Sequence, residues 1–213
     1  MKFTAKVLES ARKVTADIAK ALQSQVQSVF KKAKPKIQRD ISRLIGNSLR
    51  TEPEYGALKA GKLRLEIGIA DTSVVDEVVD LFAQSISFNI NQVKVGSKGI
   101  DAVLSFTIVG SDDFEKILQS NAAVITTENG AMLPWLTWLL LKGGDEIVLQ
   151  NKVLFKPSPA SRTGQAIMIP TKGGGWRIPA RYIGTESNNW VTRALSKIEP
   201  DILNAMKKYV ERG

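Results

Sequence analysis

The chain has 213 residues, of which 43% are hydrophobic and 24% are charged, values that are ordinary for a soluble globular protein. It contains no cysteine and no histidine, which excludes disulfides, cysteine nucleophiles and every acid–base or metal-binding role of histidine. The net charge of +9 lies entirely in residues 1–50, because the rest of the chain holds equal numbers of basic and acidic residues.

This charge asymmetry, together with the length, predicts two regions. We expect a basic N-terminal helical arm over residues 1–50 and an α+β core domain over residues 51–213. The most apolar run, residues 132–141, is shorter than the roughly twenty residues that span a bilayer, so no membrane segment is predicted. Lysine, arginine and glutamate interrupt residues 1–13, and no signal peptide is predicted there.

The arm is predicted to form two helices. Apolar residues recur at helical spacing over residues 3–33, and Pro35 is expected to break or kink the helix before a second one runs to about Ser48. Such a basic arm should seek a negative surface, either nucleic acid or an acidic ring of partner protein, unless its cations only solvate a helix face. The basic residues singled out are Arg12, Lys13, Lys31, Lys32, Lys34, Lys36 and Arg39.

The first half of the core domain mixes helices and strands. We expect a short helix capped by Thr51 and stopped by Gly61, and then a strand over residues 62–69, where apolar and polar residues alternate. The spacing of valines predicts a helix that opens at Ser73. Two strands, 87–95 and 100–109, should pair through a turn at 96–99.

The second half continues this mixture. Helices are predicted to begin at Ser111 and near Pro134, and strands are predicted over residues 122–127 and 146–155. A loop follows over residues 156–165, and two short strands, 166–169 and 176–178, should flank a turn at the glycine run 173–175. Asn188 or Asn189 should cap a final helix that reaches about residue 211 and is kinked or interrupted at Pro200.

Together these elements predict an α+β fold. A mixed or antiparallel sheet should be flanked by helices, with a long basic helical segment at the N-terminus.

Residue patterns that carry catalysis in other proteins have simpler explanations here. Asp76 and Asp80 share one helix face with nothing converging on them, so a solvated surface is favoured over a metal or acid–base pair. The glycine run at 173–175 follows Lys172, whereas a phosphate-binding loop places its lysine after the glycines and before a helix. Ser28 and Lys31 match a Ser-x-x-Lys spacing that a lysine-rich helix produces by chance. We therefore predict no enzyme, no catalytic residue, no metal and no cofactor.

The segment from Gly173 to Leu195 is the most informative part of the chain. It carries two tryptophans, a tyrosine and three arginines between glycine and asparagine punctuation, and these residue types dominate protein interfaces. Trp176 and Trp190 suit a packed loop clamp better than stacking on bases, although both interpretations stay open. The residues predicted to contact a partner or another subunit are Arg162, Trp176, Arg177, Tyr182, Asn189, Trp190 and Arg193.

Several of these residues also form a family pattern. Residues 176–179 (Trp-Arg-Ile-Pro), 184–185 (Gly-Thr) and 188–194 (Asn-Asn-Trp-Val-Thr-Arg-Ala), with 134–140 and 161–164 upstream, resemble the C-terminal signature of the tail-completion or neck proteins of tailed bacteriophages. These are virion proteins of the head–tail junction. The resemblance covers roughly Leu133 to Leu195.

The resemblance implies a structural role and no catalysis. It implies a homo-oligomeric ring, with sixfold symmetry expected, that contacts other neck, portal-adaptor or tail proteins in the virion after assembly in the host cytoplasm. A ring needs heterologous interfaces, and the candidates are the 176–190 loop, the 158–164 loop and the basic N-terminal helix. A nucleic-acid-binding protein that uses the basic N-terminal helices is the alternative.

Overall fold

The computed structural model describes residues 11–90, 94–96, 99–101 and 104–210. Within these ranges the helices are α1 Ala11–Thr51, α2 Pro53–Lys59, α3 Lys62–Ile67, α4 Ser73–Gln84, α5 Ser111–Leu118, α6 Trp135–Leu141 and α7 Trp190–Val210. The strands are β1 Ser87–Ile90, β2 Lys94–Gly96, β3 Gly99–Asp101, β4 Leu104–Thr107, β5 Ile125–Thr126, β6 Met132–Leu133, β7 Val148–Leu154 and β8 Ile167–Trp176.

The predicted α+β class is confirmed, and the strand pairs are all antiparallel. Instead of one sheet, the described strands form four separate two-stranded sheets, β1–β4, β2–β3, β5–β6 and β7–β8. Isolated strand pairs are marginally stable in water, and β1 and β2 are supported by contacts with α1. The predicted turn between β2 and β3 includes residues 97–98, which lie outside the described residues.

The predicted break at Pro35 is wrong, because α1 is one helix of 41 residues with Pro35 inside it. A proline removes the hydrogen bond to the carbonyl four residues earlier, here that of Lys31. Lys31 and Pro35 are both exposed, so water can hydrate the freed carbonyl. The helix also passes its predicted end near Ser48 and reaches Thr51.

The strand predicted over residues 62–69 is also wrong, since this segment forms the short helix α3. The buried residues of α3 are Leu63 and Ile67, which are four residues apart. Residues at this spacing lie on one face of a helix and also on one face of a strand, so the alternating pattern did not distinguish the two. Gly68 ends the helix in the left-handed conformation, with φ of 84°. Gly61 precedes α3 as its N-cap, in addition to following α2.

The glycine run 173–175 lies inside one strand and does not separate two. Pairing along β7 and β8 passes from Leu149–Gly175 directly to Asn151–Pro170. Residues 171–174 therefore stand opposite Gln150 alone, and both Gln150 (φ 52°) and Gly174 (φ 72°) have left-handed backbone. The glycines allow this large irregular bulge, in which four residues of β8 lie opposite one residue of β7.

The predicted starts of α4 and α7 are confirmed, whereas the predicted cap of α2 at Thr51 is wrong, because Thr51 ends α1 and Glu52 precedes α2. α4 begins at Ser73 and buries Val75, Val78, Val79 and Phe82. α7 is continuous through Pro200, so the interruption expected there is absent from residues 190–210. The carbonyl freed by Pro200 belongs to Ser196, which is exposed.

The second half of α1 lies in the core. Ile37, Ile41, Ile45 and Leu49 are at most 1% exposed and belong to one buried cluster with side chains of α4, α6 and α7. α7 runs antiparallel to α1, since Ser48 Oγ donates to the Ala194 carbonyl at 2.8 Å and Tyr209 Oη donates to Asp40 Oδ2 at 2.6 Å. The division into two domains at residue 50 stays a prediction, but α1 from Ile37 onward shares its core with residues beyond 50.

Candidate interaction surfaces

Trp190 joins the start of α7 to the end of α1. Its indole is 1% exposed, and Nε1 donates a hydrogen bond to the Leu49 carbonyl at 3.0 Å. In a continuing helix that carbonyl would accept from residue 53, which is a proline without an N–H. Among the described residues, the backbone donor to it is Glu52 N at the long distance of 3.4 Å. Trp190 therefore satisfies a carbonyl that the helix end leaves short of a partner.

Asn189 is the N-cap of α7, as predicted for one of the two asparagines. Its Oδ1 accepts from the backbone N–H groups of Val191 and Thr192, both at 3.0 Å. Its Nδ2 donates to the Thr185 carbonyl at 2.8 Å, which fixes the preceding loop to the helix start. The side chain is 2% exposed. The Asn-Asn pattern therefore builds the helix terminus.

Gly184 lets this loop approach α6. A Cβ at this position would lie 2.7 Å from the Leu140 carbonyl oxygen and 3.0 Å from Asn189 Cβ. Gly143, which follows α6, packs against the same loop: a Cβ added at Gly143 would lie 2.8 Å from Ile183 Cα. The Gly-Thr turn at residues 184–185 is thus a point of close backbone packing.

Trp176 packs between helices instead of facing outward. Its ring meets Trp138 edge-on with centroids 6.2 Å apart, and its Nε1 donates to Glu66 Oε2 at 3.3 Å. Burial raises the pKa of the Glu66 carboxyl, and the hydrogen bond from Trp176 opposes this shift. Tyr182 is also 7% exposed, with the Arg181 guanidinium 4.6 Å from its ring centroid.

Two ion pairs connect α7 to buried acids of the α1–α2 junction. Arg193 bonds to Glu54, and Lys197 bonds to Glu52; the side chains of both acids are 2% exposed. Arg193 also donates to Asn188 Oδ1 at 2.9 Å. The sequence did not predict a role for either glutamate, because acidic residues at the start of a short helix are usually exposed and no local pattern indicates that these two are buried.

The remaining predicted arginines each have a partner within the chain. Arg177 forms an exposed pair with Glu146 at 2.7 Å. Arg162 donates to the Ile67 carbonyl at 3.4 Å, at the end of α3, and burial lowers the pKa of its guanidinium.

The predicted interface set therefore divides in two. Trp176, Tyr182, Asn189 and Trp190 make the intramolecular contacts described above and are at most 7% exposed, and their role in an interface stays a prediction. An interface role stays a prediction for the three arginines, whose side chains keep some exposure.

Both aspartates of α4 are held by ion pairs. Asp76 accepts from Lys59 Nζ at 2.6 Å and from Tyr55 Oη at 2.7 Å, and the bond from Lys59 is the main cause that lowers the Asp76 pKa. Asp80 pairs with Arg50 at 2.8 Å. Within the part of the chain that the structure describes, no group of three or more acidic residues is placed to hold a metal ion.

A cavity of about 450 Å³ lies between α3, the loop over residues 158–166 and the β7–β8 pair. Trp138, Trp176 and Met168 supply apolar walls, and Glu66 and Arg162 supply the charges. Both charged side chains bond to groups of the protein itself, as described above, so the cavity is lined by residues that support the fold.

The first half of α1 extends beyond the core. From Asp40, where α7 reaches it, α1 continues toward Ala11 for about 40 Å at 1.5 Å per residue. The predicted cations Lys13, Lys31, Lys32, Lys34, Lys36 and Arg39 are exposed on it, and the Arg12 side chain lies outside the described side chains. β1 and β2 contact α1, and Phe30 and Ala33 are 7% exposed.

This half of α1 also carries an uncovered apolar stripe, formed by Ile18, Leu22, Val26 and Val29. Their spacing places the four side chains within about 80° of each other around the helix. Ile18 is 55% exposed and Leu22 is 36% exposed, whereas the two valines are half-buried. The stripe continues the face that α1 buries from Ala33 onward.

A second uncovered apolar feature is a groove of about 850 Å³ between α5, the end of α6 and the first turns of α7. Both charged residues that line it, Glu115 and Glu186, are acidic. Its apolar walls are half-buried and comprise Ile108, Val109, Phe114, Leu118, Leu141 and Leu195.

Comparisons with protein-family models, with curated proteins and with solved structures found no match. Among the helices that the structure describes, none combines the length and the apolar character needed to cross a membrane.

Proposed function

We propose that this chain is a structural protein of a tailed-phage virion, where it assembles as a ring at the neck or tail-completion position of the head–tail junction. Its activity is assembly, and its partners are other copies and the adjoining neck, portal-adaptor or tail proteins. The resemblance over residues 133–195 supports the position in the virion. The exposed stripe on α1 supports assembly.

The observation that carries the proposal is the exposure of Ile18 and Leu22 on a helix that leaves the core. Burying a leucine or isoleucine side chain contributes about 1.5 to 3 kcal/mol, and the part of Ile18 and Leu22 that is still exposed leaves some of this contribution unused. An uncovered apolar stripe on an otherwise cationic helix is typical of a surface that another protein covers.

Residues at the start of α7 provide a rigid support for this helix. Trp190 bonds α7 to Leu49 of α1, Arg193 bonds it to Glu54 of α2, and Lys197 bonds it to Glu52 between them, so the base of the projecting helix is held at several points. A helix fixed in this way presents its stripe in one orientation. Repeated contacts between copies then follow one symmetry operation, as a ring requires.

Light scattering across a concentration series, with negative-stain images of the same samples, tests the proposal. We expect a discrete multiple of the 23.3 kDa chain and ring-shaped particles. The double variant Ile18→Asp/Leu22→Asp should reduce the mass to one chain, while Gln27→Asp, which adds a charge to the opposite face, should not. A wild-type chain that stays monomeric at high concentration, alone and with portal or tail partners, contradicts the proposal.

Binding of nucleic acid by the same helix is the second candidate. The exposure of Lys31, Lys32, Lys34, Lys36 and Arg39 favours it, because cations that contact phosphate must be free of the core. Filter binding to duplex DNA should then weaken steeply with salt, and reversing Lys31 and Lys32 to glutamate should reduce the slope. Binding that is unchanged by the reversal contradicts this candidate.

A further inference from the structure

We infer that the apolar stripe of α1 in one copy docks into the groove between α5 and α7 of the next copy. This inference rests on the assembly part of the proposed function and names the two surfaces that meet. It is carried by two uncovered apolar features of the described chain whose shapes and charges match.

The shapes match because the stripe is a helix face and the groove is a concave strip lined by helices. Ile18 and Leu22 are four residues apart, and Val26 and Val29 continue the same face. Such a row of anchors at helical spacing is what a hydrophobic groove accepts in helix-in-groove recognition. Phe114, Leu118 and Leu195 provide half-buried walls that would become covered.

The charges match as well. Residues 11–36 carry seven cationic side chains and one acid, Asp17. The groove is bounded by Glu115 and Glu186; Asp112 lies on the same helix as Glu115, where Asp113 already pairs with Lys116. Opposite charges around an apolar contact favour the encounter and set its orientation.

The occupant must come from another copy, because the chain cannot place its own stripe in its own groove. The groove includes Val191, next to Trp190, which bonds to Leu49 near the end of α1. Leu22 lies 27 residues before Leu49 in the same unbroken helix, which is about 40 Å along the axis. The helix would have to break for the two surfaces of one chain to meet.

Such a contact joins two different patches of identical chains. Any open row of copies joined in this way has an unoccupied stripe at one end and an unoccupied groove at the other. Further copies can therefore add until the row closes into a ring, or they add without limit and form a filament. This is the heterologous geometry that the proposed ring requires.

Two full-length variants test the inference. The stripe variant Ile18→Asp/Leu22→Asp has an intact groove, and the groove variant Val109→Asp has an intact stripe. Each alone should be monomeric by light scattering. Mixed in equal amounts, they should form a pair of two chains and nothing larger, because only one productive contact remains.

A second groove variant is needed because Val109→Asp could prevent assembly simply by misfolding the protein. Glu115→Lys/Glu186→Lys changes only exposed side chains, so it should keep the helical circular dichroism of the wild type and weaken assembly at least tenfold in concentration. Lys116→Glu, on the exposed face of α5 outside the groove, is the matched control and should assemble like the wild type.

The outcomes separate this inference from the proposed function. A wild-type chain that never assembles defeats both. Assembly that survives the stripe variant or both groove variants overturns the stripe–groove contact while leaving assembly itself standing. Two monomeric variants that do not pair when mixed also overturn the contact.

Discussion

The indole N–H of Trp190 occupies the place of the missing N–H of Pro53 at the Leu49 carbonyl. The donor and acceptor are 141 positions apart in the chain and 3.0 Å apart in space. One bond thus satisfies the end of α1 and positions the first residue of α7. It explains a tryptophan of the family-like pattern through the packing of the core.

Trp190→Phe should therefore destabilise the protein out of proportion to its small change in volume. Loss of the donor leaves the Leu49 carbonyl poorly satisfied in a buried place, which costs about 1 to 3 kcal/mol. Trp190→Ala should cost about 3 to 5 kcal/mol, because it also leaves a cavity. Urea denaturation measures both. Trp138→Phe is the control, since the Trp138 indole donates to no other described residue; an equal loss there would contradict the role of the hydrogen bond.

Gly184→Ala should destabilise the loop that precedes α7. The new Cβ would overlap backbone oxygens at the end of α6, and backbone cannot move aside as a flexible side chain can. Overpacking of this kind costs about 1 to 3 kcal/mol. Gly144→Ala is the matched control, because a Cβ there meets nothing within 4 Å. Thermal unfolding followed by circular dichroism should show a lower midpoint for the first variant alone.

Removing Arg193 should be more harmful than removing the whole ion pair. Arg193→Met leaves the Glu54 carboxylate buried without its counter-ion, which costs about 3 to 5 kcal/mol. The double variant Glu54→Leu/Arg193→Met removes both charges and should recover much of that loss. A double-mutant cycle from denaturant titrations measures the difference, and a double variant less stable than Arg193→Met would refute the explanation.

Glu66→Gln should stabilise the protein at neutral pH and have little effect in acid. Burial holds the folded-state pKa of Glu66 above its ordinary value of 4.5. Folding is therefore penalised increasingly as pH rises from 4.5 through the folded pKa, and the penalty is absent below 4.5, where the carboxyl is protonated in both states. Glutamine keeps an acceptor for Trp176. Free energies of unfolding at pH 7 and pH 3 test this, and a variant less stable at pH 7 would contradict it.

Asp76→Asn should behave in the opposite sense. The hydrogen bond from Lys59 keeps the folded-state pKa of Asp76 below its ordinary value of 3.8, so its contribution is present above 3.8 and disappears as pH falls through the folded pKa. The variant should lose under about 1 kcal/mol at pH 7, because the pair is partly exposed. It should match the wild type at the acid end of the same titration.

Much of the secondary structure was predictable because it depends on near neighbours. The valines of α4 repeat at helical spacing, and Asn189 precedes a helix with a side chain suited to cap it. The failures were local ambiguities. Residues 63 and 67 fit a strand and a helix alike, and the prolines at 35 and 200 lie inside helices where the carbonyls they free belong to exposed residues.

The sequence by itself determined the α+β class, the asparagine cap of α7 and the basic composition of α1, whereas the predicted cap at Thr51 is wrong because Thr51 is the last residue of α1. Only the tertiary structure decided which aromatic and charged residues are buried in intramolecular contacts and which remain exposed. Trp190 bonds to Leu49, Arg193 bonds to Glu54 across 139 positions, and Ile18 and Leu22 remain 55% and 36% exposed. The physical reason is that periodicity and capping act over a few residues, whereas burial and ion pairing depend on distances that the chain acquires only when distant helices pack together.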